Sequence, residues 1–139
     1  MKGEIKMKNQ NKWNEKDIRE LFNRLDKITG ADSSGIPINI NNRLKTTVAR
    51  YRWYSKSGEP CDFEFGKLIM NVDHKLPLDD VAIHEYAHWY VQNVLKGTAG
   101  HTPQFRKVVR MLGSTNVNAT CTDYVKNELE YARIKLNRK

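Results

Sequence analysis

The first strong pattern in the chain is an apolar stripe at helical spacing near the N-terminus. It consists of Ile18, Leu21, Phe22, Leu25 and Ile28. Positions three and four apart lie on one face of an α-helix, so the stripe predicts an amphipathic helix that packs on the core. Asn14 is a favourable N-cap and Gly30 a favourable terminator. We therefore expect a first helix between these two residues.

Alternating and β-branched positions in the second quarter of the chain predict a small sheet. Isoleucines alternate with other residues from Ile36 to Ile40, but Pro37 restricts this run to an edge strand or an extended loop. Residues 44–54 are rich in β-branched and aromatic side chains and predict a half-buried strand. Residues 61–72 predict another strand, with a bulge near Gly66 where the alternation changes phase. We expect a small, mainly antiparallel sheet.

Helical periodicity returns in the second half of the chain. Residues 78–95 predict a central helix that is apolar on several sides, as is typical of a helix buried between other layers. Thr102 as N-cap and Pro103 at the first helical position predict a further helix that ends near Gly113. A last helix is predicted over residues 123–136. The order of elements indicates an α+β fold with an N-terminal helix, a central helix and two C-terminal helices.

Length and composition narrow the class of protein. The 139 residues fit one ordinary domain. We expect residues 1–13 to be a flexible polar leader and residues 14–139 to be a single domain. No apolar run approaches the roughly 18 residues of a membrane span, and no secretory signal is recognisable. We therefore expect a cytoplasmic monomer without a membrane partner, in which Cys61 and Cys121 are free thiols.

The charge balance bears on possible partners. The net charge is +8, and lysines and arginines are spread over the whole chain. A positive surface raises the encounter rate with polyanions and supplies non-specific phosphate contacts. Solvated basic residues are also the ordinary surface of small proteins. Charge alone therefore leaves non-specific nucleic-acid contact open.

The residues with the clearest chemistry form the run His84-Glu85-Tyr86-Ala87-His88. On a helix, His84 and His88 lie one turn apart on the same face and can bind one zinc ion. Glu85 is placed to accept a proton from a zinc-bound water. His101 follows a glycine-containing turn and can supply a third ligand, which leaves one tetrahedral position for water or substrate. The pattern predicts a metal-dependent peptidase with a single Zn²⁺.

An HExxH pattern also occurs by chance, and the residues could be two unrelated helical histidines and a glutamate. Here the pattern falls in a helix that should be largely buried, where such groups would be costly without partners. The metal site is therefore the preferred interpretation. The remaining histidine, His74, lies in a polar turn and is expected at the surface.

Two segments of the chain resemble the SprT-like zinc metallopeptidases, which include the Spartan proteases. They are Ile83-His84-Glu85-Tyr86-Ala87-His88-Trp89 and, after a spacer ending in glycine, His101-Thr102-Pro103-Gln104-Phe105-Arg106. The resemblance extends over residues 14–137 in outline and is specific over residues 78–113. It implies a zincin-like fold, with Glu85 as catalytic base. The implied zinc ligands are His84, His88 and His101.

The sequence departs from the family pattern in two places. Thr102 stands where glycine is common, and the C-terminal zinc ribbon that many relatives carry is missing. We therefore expect a minimal protease domain, without the DNA contacts of that ribbon. Other zincins, such as the ImmA-like proteases, share HExxH but take a different third ligand. The segment His101-x-Pro103-x-Phe105 argues against them.

The resemblance and the charge together suggest a function. The chain would be a zinc-dependent endopeptidase that hydrolyses peptide bonds with a metal-activated water, acting on DNA-associated proteins. The alternative is a basic DNA-associated binding module whose metal site is structural or non-catalytic. An exposed strand could hold the protein substrate by β-addition, and residues 63–72 are a candidate, although the sequence does not fix which strand is the edge. The tyrosines available as oxyanion partners, for which aromatic packing is the expected role, are Tyr86, Tyr90, Tyr124 and Tyr131.

Overall fold

The computed structural model describes residues 11–44 and 46–138, so most of the predicted leader lies outside the described residues. Within these ranges the chain forms four α-helices and a three-stranded sheet. The elements are α1 (Glu15–Thr29), β1 (Ile38–Asn41), β2 (Ala49–Trp53), β3 (Pro60–Gly66), α2 (Lys75–Trp89), α3 (Pro103–Met111) and α4 (Asp123–Asn137). A 3-10 helix, Ile69–Asn71, precedes α2, and a π-helical turn, Tyr90–Val94, follows it. The predicted α+β class is confirmed.

Helix α1 begins and ends where its caps predict. The Asn14 side chain accepts the backbone N–H groups of Lys16 and Asp17, and the Asp17 carboxylate accepts the N–H of Asn14. Gly30 ends the helix in the left-handed conformation, with φ 79°. The apolar stripe is buried except for Ile28, which was predicted to lie inward and is 63% exposed. Because each residue turns about 100°, Ile28 falls at the margin of the stripe.

The three strands form a mixed sheet in the order β1-β3-β2. Strand β1 pairs parallel with β3, whereas β2 pairs antiparallel with β3. The prediction of a mainly antiparallel sheet is therefore wrong. Strands β1 and β2 are consecutive in the chain but not adjacent in the sheet, and β3 fills the gap between them. The prediction that Pro37 leads into an edge strand is confirmed.

Strand β3 ends at Gly66 rather than at residue 72. A side chain at Gly66 would place its Cβ 3.1 Å from Thr47 O and 3.2 Å from Val48 O, so the backbones approach closely there. The buried apolar residues that follow belong to the 3-10 helix. The period of a 3-10 helix differs from that of a strand. This change of period explains the phase slip in the sequence. The predicted bulge near Gly66 is wrong, because the register shift lies between Arg52 and Trp53.

The inner face of the sheet joins the core formed with α1 and α2. The Phe22 ring of α1 meets Phe63 of β3 at a centroid distance of 4.8 Å and Tyr86 of α2 at 5.3 Å. All three rings are fully buried. Residues of the predicted leader close one end of this core, since the Trp13 indole donates to Val72 O at 2.7 Å. The aromatic cluster therefore fixes α2 against the sheet.

The outer face of the sheet carries buried carboxylates from its central strand. Asp62, only 2% exposed, accepts Arg52 Nε and Nη2 from β2, both at 2.7 Å, and Asn39 Nδ2 from β1 at 2.8 Å. Glu64 accepts Arg50 Nε from β2 at 2.6 Å and Asn41 Nδ2 from β1 at 3.1 Å. Each carboxylate thus ties β3 to both neighbouring strands. The guanidinium of Arg52 lowers the pKa of Asp62.

The helices of the second half match the prediction closely, with two differences. Helix α2 starts at Lys75, one turn before the predicted residue 78, and its α-helical geometry ends at Trp89. Val94 and Leu95 were predicted in this buried helix but are 41% exposed, because the π-helical turn alters their direction. Helices α3 and α4 have the predicted positions, with Thr102 and Thr122 as N-caps. In the described part of the chain, no helix combines the length and apolarity that crossing a membrane requires.

Replacing Asp62 by Asn should lower the free energy of unfolding by about 1.5–3 kcal/mol at pH 7, the usual range for hydrogen bonds to a charged group. Because the folded-state pKa of Asp62 is depressed, its stabilisation is complete above the unfolded pKa of about 3.9. It is lost as the pH falls through the lower folded-state value. Urea unfolding between pH 7 and pH 3 should therefore show the difference from wild type shrinking below about pH 4.

The exposed Glu20 on α1 provides the control for this measurement. Glu20→Gln should leave the free energy of unfolding at pH 7 within about 0.5 kcal/mol of wild type. A destabilisation by Asp62→Asn that stayed constant down to pH 3 would contradict the assignment of the stabilisation to the Asp62 charge.

Candidate metal centre

Helix α2 and the start of α3 bring three imidazole rings together. His84 Nε2 lies 3.3 Å from His88 Nε2 and 3.1 Å from His101 Nε2. A tetrahedral zinc ion with bonds of about 2.0–2.1 Å separates its ligand nitrogens by about 3.3 Å. The three available ligand atoms all lie within 4.8 Å of one another. The cluster therefore fits a single cation of this size.

A glycine-dependent reversal returns the chain to the cluster. After the π-helical turn, the Gly97 N–H donates to Val91 O at 2.7 Å. A Cβ at position 97 would clash with the Gln104 side chain and lie 2.9 Å from Val91 Cγ1, so only glycine fits. Gly100 then adopts φ 106°, which also favours glycine. These two positions place His101 beside α2, as the sequence predicted.

The tautomer of His84 is set by a backbone carbonyl. His84 Nδ1 lies 2.6 Å from Asn116 O, and both residues are buried. A carbonyl oxygen only accepts, so Nδ1 carries the hydrogen and Nε2 of the neutral ring keeps a lone pair. That lone pair is the group a metal ion needs, and Nε2 is the atom that faces the other two histidines.

The surroundings favour neutral imidazoles in all three positions. Burial lowers the pKa of His84 to about 4 and the pKa of His88 to about 3. Burial also lowers the pKa of His101, with a further contribution from the positive charge of Arg106. Neutral imidazole is the ligand form, so these rings need not lose a proton at pH 7 to bind a metal.

Phe105 of α3 holds the three rings in place from one side. Its fully buried ring stacks on His88 at a centroid distance of 4.2 Å. It also meets His84 at 4.9 Å and His101 at 5.1 Å, both edge to face. The Thr102 hydroxyl caps the Phe105 N–H and fixes the start of α3. The apolar wall leaves the rings few alternative orientations.

Glu85 lies beside the cluster with its carboxylate almost fully buried. Burial raises the pKa of Glu85 to about 8, and a hydrogen bond from the backbone of Tyr51 in β2 opposes part of this shift. The sequence did not predict this backbone partner of Glu85. The Tyr51 backbone reaches Glu85 because α2 packs against β2.

Two cavities flank Glu85 along β2. One, of about 290 Å³, is lined by Thr46, Thr47, Val48, Ala49, Val81, His84, Glu85, Asn116, Asn118, Ala119 and Cys121. The other, of about 330 Å³, is lined by Ala49, Arg50, Tyr51, Trp53, His84, Glu85, His88, Gly100, His101 and Ala119. They share Ala49, Ala119 and two residues of the motif. Together they form a cleft that follows β2 past the histidines.

Strand β2 borders this cleft as an edge of the described sheet. The predicted docking strand, residues 63–72, is not an edge, since β3 has a neighbour on each side. The error arose because strand order is a non-local property, which the hydrophobic pattern of one strand does not contain. Of the two edge strands, β1 and β2, it is β2 that borders the cleft.

None of the four predicted tyrosine candidates lines either cavity. The Tyr86 hydroxyl donates to Asp26 at 2.7 Å and bonds Thr29, away from the histidines. Tyr90 stacks near Tyr86, while Tyr124 and Tyr131 are exposed on α4. Hydrogen bonding and packing therefore account for Tyr86 and Tyr90, whereas Tyr124 and Tyr131 lie at the surface, and none of the four lies along the cleft.

The other sequence candidates lie as follows. His74 is exposed at the start of α2 and is not part of the cluster. Cys61 and Cys121 are half-buried free thiols, and Cys121 lines the smaller cavity. Asn116 had no signal in the sequence, because its contribution to the site is a backbone carbonyl that any residue possesses.

Comparison with known families agrees with this geometry. The sequence profile of the SprT-like family matches residues 18–138, which is nearly the whole chain. The chain therefore belongs to the SprT-like family. No curated protein sequence shows a significant match to it.

Replacing His101 by Ala should weaken zinc binding at least about 100-fold, because losing a ligand costs more than the roughly 10–100-fold loss seen for outer partners of ligands. Competition with a chromophoric chelator measures the affinity of the purified protein. His74→Ala is the matched control and should leave the affinity unchanged, since this residue lies outside the cluster. Equal zinc affinity in the His101→Ala variant would place the third ligand elsewhere.

Proposed function

We propose that this member of the SprT-like family is a zinc-dependent endopeptidase with a zincin-like fold. One zinc ion would be bound by His84, His88 and His101, and Glu85 would be the catalytic base. The observation that carries the proposal is the spacing of the three Nε2 atoms beside a buried carboxylate. The donor set fits zinc because neutral imidazole nitrogen is among its preferred ligands.

Glu85 supplies the proton transfers that peptide hydrolysis requires. A zinc ion bound at the cluster would supply a Lewis acid that polarises the scissile carbonyl and acidifies water. The Glu85 carboxylate accepts the proton of the attacking water and later delivers it to the departing amide nitrogen. A nearby cation would lower the pKa of Glu85 from its raised value, so the carboxylate would be ionised when it acts as base. The Tyr51 backbone N–H orients the carboxylate.

The cleft offers a path for an extended polypeptide. Strand β2 presents an edge to the cleft, and a peptide can add to such an edge through main-chain hydrogen bonds. The two cavities lie on either side of Glu85, where side chains flanking the cleaved bond would be placed. This arrangement favours cleavage within unfolded or extended segments of a protein, which supports endopeptidase activity.

The basic surface suggests DNA-associated proteins as the substrate class. The second candidate function is a DNA-binding module whose metal site is non-catalytic. Trp53 and Tyr54 at the end of β2 are 43% and 58% exposed, next to the half-exposed Arg52. Exposed aromatic rings beside guanidinium groups stack on the bases of single-stranded nucleic acid. Since Trp53 also lines the larger cavity, DNA bound there would lie beside the cleft.

Replacing Glu85 by Gln should reduce the cleavage rate of casein by about 10²–10⁴-fold, the usual contribution of a general base. Zinc content, measured by elemental analysis, should not fall, because Glu85 is not a ligand. Glu128 on α4, a half-buried residue that lines neither cavity, serves as control, and Glu128→Gln should cleave at the wild-type rate. Undiminished cleavage by Glu85→Gln would remove this residue from the mechanism.

Binding to single-stranded DNA, followed by fluorescence anisotropy, tests the second candidate. Affinity should fall steeply between about 50 and 200 mM salt, as counterion release requires. Trp53→Ala should weaken binding about 5–150-fold through the loss of stacking worth about 1–3 kcal/mol. Tyr131→Ala, which removes an even more exposed ring from α4, should not. Strong DNA binding by a wild-type protein that holds zinc and cleaves no protein would favour the binding module over the peptidase.

A further inference from the structure

The loop between α3 and α4, residues 113–122, contacts α2 directly above the metal cluster. The Ser114 hydroxyl lies beside the Asp80 carboxylate, and Asn116 O accepts from His84 Nδ1. Asp80 and His84 are four residues apart, so they lie one above the other on the same face of α2. Ser114, Thr115 and Asn116 alternate between buried, exposed and buried, as in an extended segment.

The spacings of these two contacts match. Four residues of an α-helix rise about 6 Å, and two residues of an extended chain span about 6.6 Å. The loop therefore runs beside α2 with Ser114 next to Asp80 and Asn116 next to His84. This alignment fixes the position of the Asn116 carbonyl along the helix. The carbonyl therefore lies beside His84 and not beside another residue of α2.

Asn116 is itself held from both sides. Its backbone N–H donates to Ser114 Oγ at 3.1 Å, and its side-chain Oδ1 accepts the Thr122 N–H at 3.2 Å. Thr122 is the N-cap of α4, so the amide side chain ties the loop to a rigid helix end. Asn116 is only 3% exposed, although neighbouring residues 118–120 are exposed. A buried amide with these hydrogen bonds anchors the loop in one position, unlike the side chain of a solvated loop residue.

We propose that Asn116 is a positioning residue for the metal site. Its side chain holds its own carbonyl against His84 Nδ1, which keeps the hydrogen on that atom and turns the Nε2 lone pair toward His88 and His101 before any metal arrives. Asn116 acts on the metal site through His84 and is not itself a metal ligand. The inference rests on the proposed metal site and adds a residue that the HExxH pattern does not contain.

The test compares three variants for zinc affinity and for the His84 tautomer in the metal-free protein. Asn116→Ala removes the Oδ1 acceptor and should weaken zinc binding about 10–100-fold, as for other outer partners of ligands. Long-range ¹H–¹⁵N spectra of the imidazoles should show a mixture of tautomers instead of one. Asn116→Asp keeps an oxygen that can accept the Thr122 N–H and should restore most of the affinity and the single tautomer. Asn118→Ala is the matched control and should resemble wild type.

The possible results separate the inference from its premises. Wild-type affinity and a single tautomer in Asn116→Ala would overturn it, as would an equal loss in Asn118→Ala, since Asn118 lines the same cavity without bonding His84. If Asn116→Ala does not fold, Ser114→Ala removes the other support of Asn116 and should show the same mixed tautomers. If the wild-type protein cleaves no protein, only the peptidase proposal is contradicted. The tautomer spectra would still decide the role of Asn116.

Discussion

The site depends on the need of a buried helix to pair its polar side chains. Consecutive residues of α2 point about 100° apart, so His84, Glu85 and Tyr86 meet three different parts of the fold. His84 bonds the loop carbonyl of Asn116, Glu85 the backbone of β2, and Tyr86 the Asp26 carboxylate of α1. A buried polar group without a partner costs about 1–3 kcal/mol, so rotation of the helix would cost several such penalties at once. The direction of the metal-facing nitrogen follows from all three contacts.

The features that the sequence predicted are those with local causes. The ends of α1, α3 and α4 follow from caps such as Asn14 and Thr102, and the approach of His84 to His88 follows from helical geometry. The return of His101 could be predicted because the glycine at position 97 signals a tight reversal. Strand order, the parallel pairing of β1 and the partners of Glu85 were missed. These depend on contacts between residues distant in sequence, which the local pattern of one chain does not specify.

The central strand of the sheet carries acidic residues whose charges are paired by the neighbouring strands. Asp62 and Glu64 alternate with Phe63 and Phe65, which reads as an ordinary half-buried strand. In the structure their carboxylates are nevertheless buried, because arginines from β2 and asparagines from β1 close over them. The ion pairs do more than fill the outer face. They hold β2, which contacts Glu85 with its backbone, in a fixed register with β3.

The position of β2 at the margin of the sheet has a consequence for encounters between copies of the protein. An unpaired strand invites the matching strand of a neighbour, which is a common start of aggregation. β2 is short, it is irregular between Arg52 and Trp53, and two copies paired antiparallel would bring guanidinium groups face to face. Like charges directly opposite one another destabilise such a pair. The edge of β2 can thus remain accessible to another polypeptide, whereas pairing with β2 of a second copy is disfavoured.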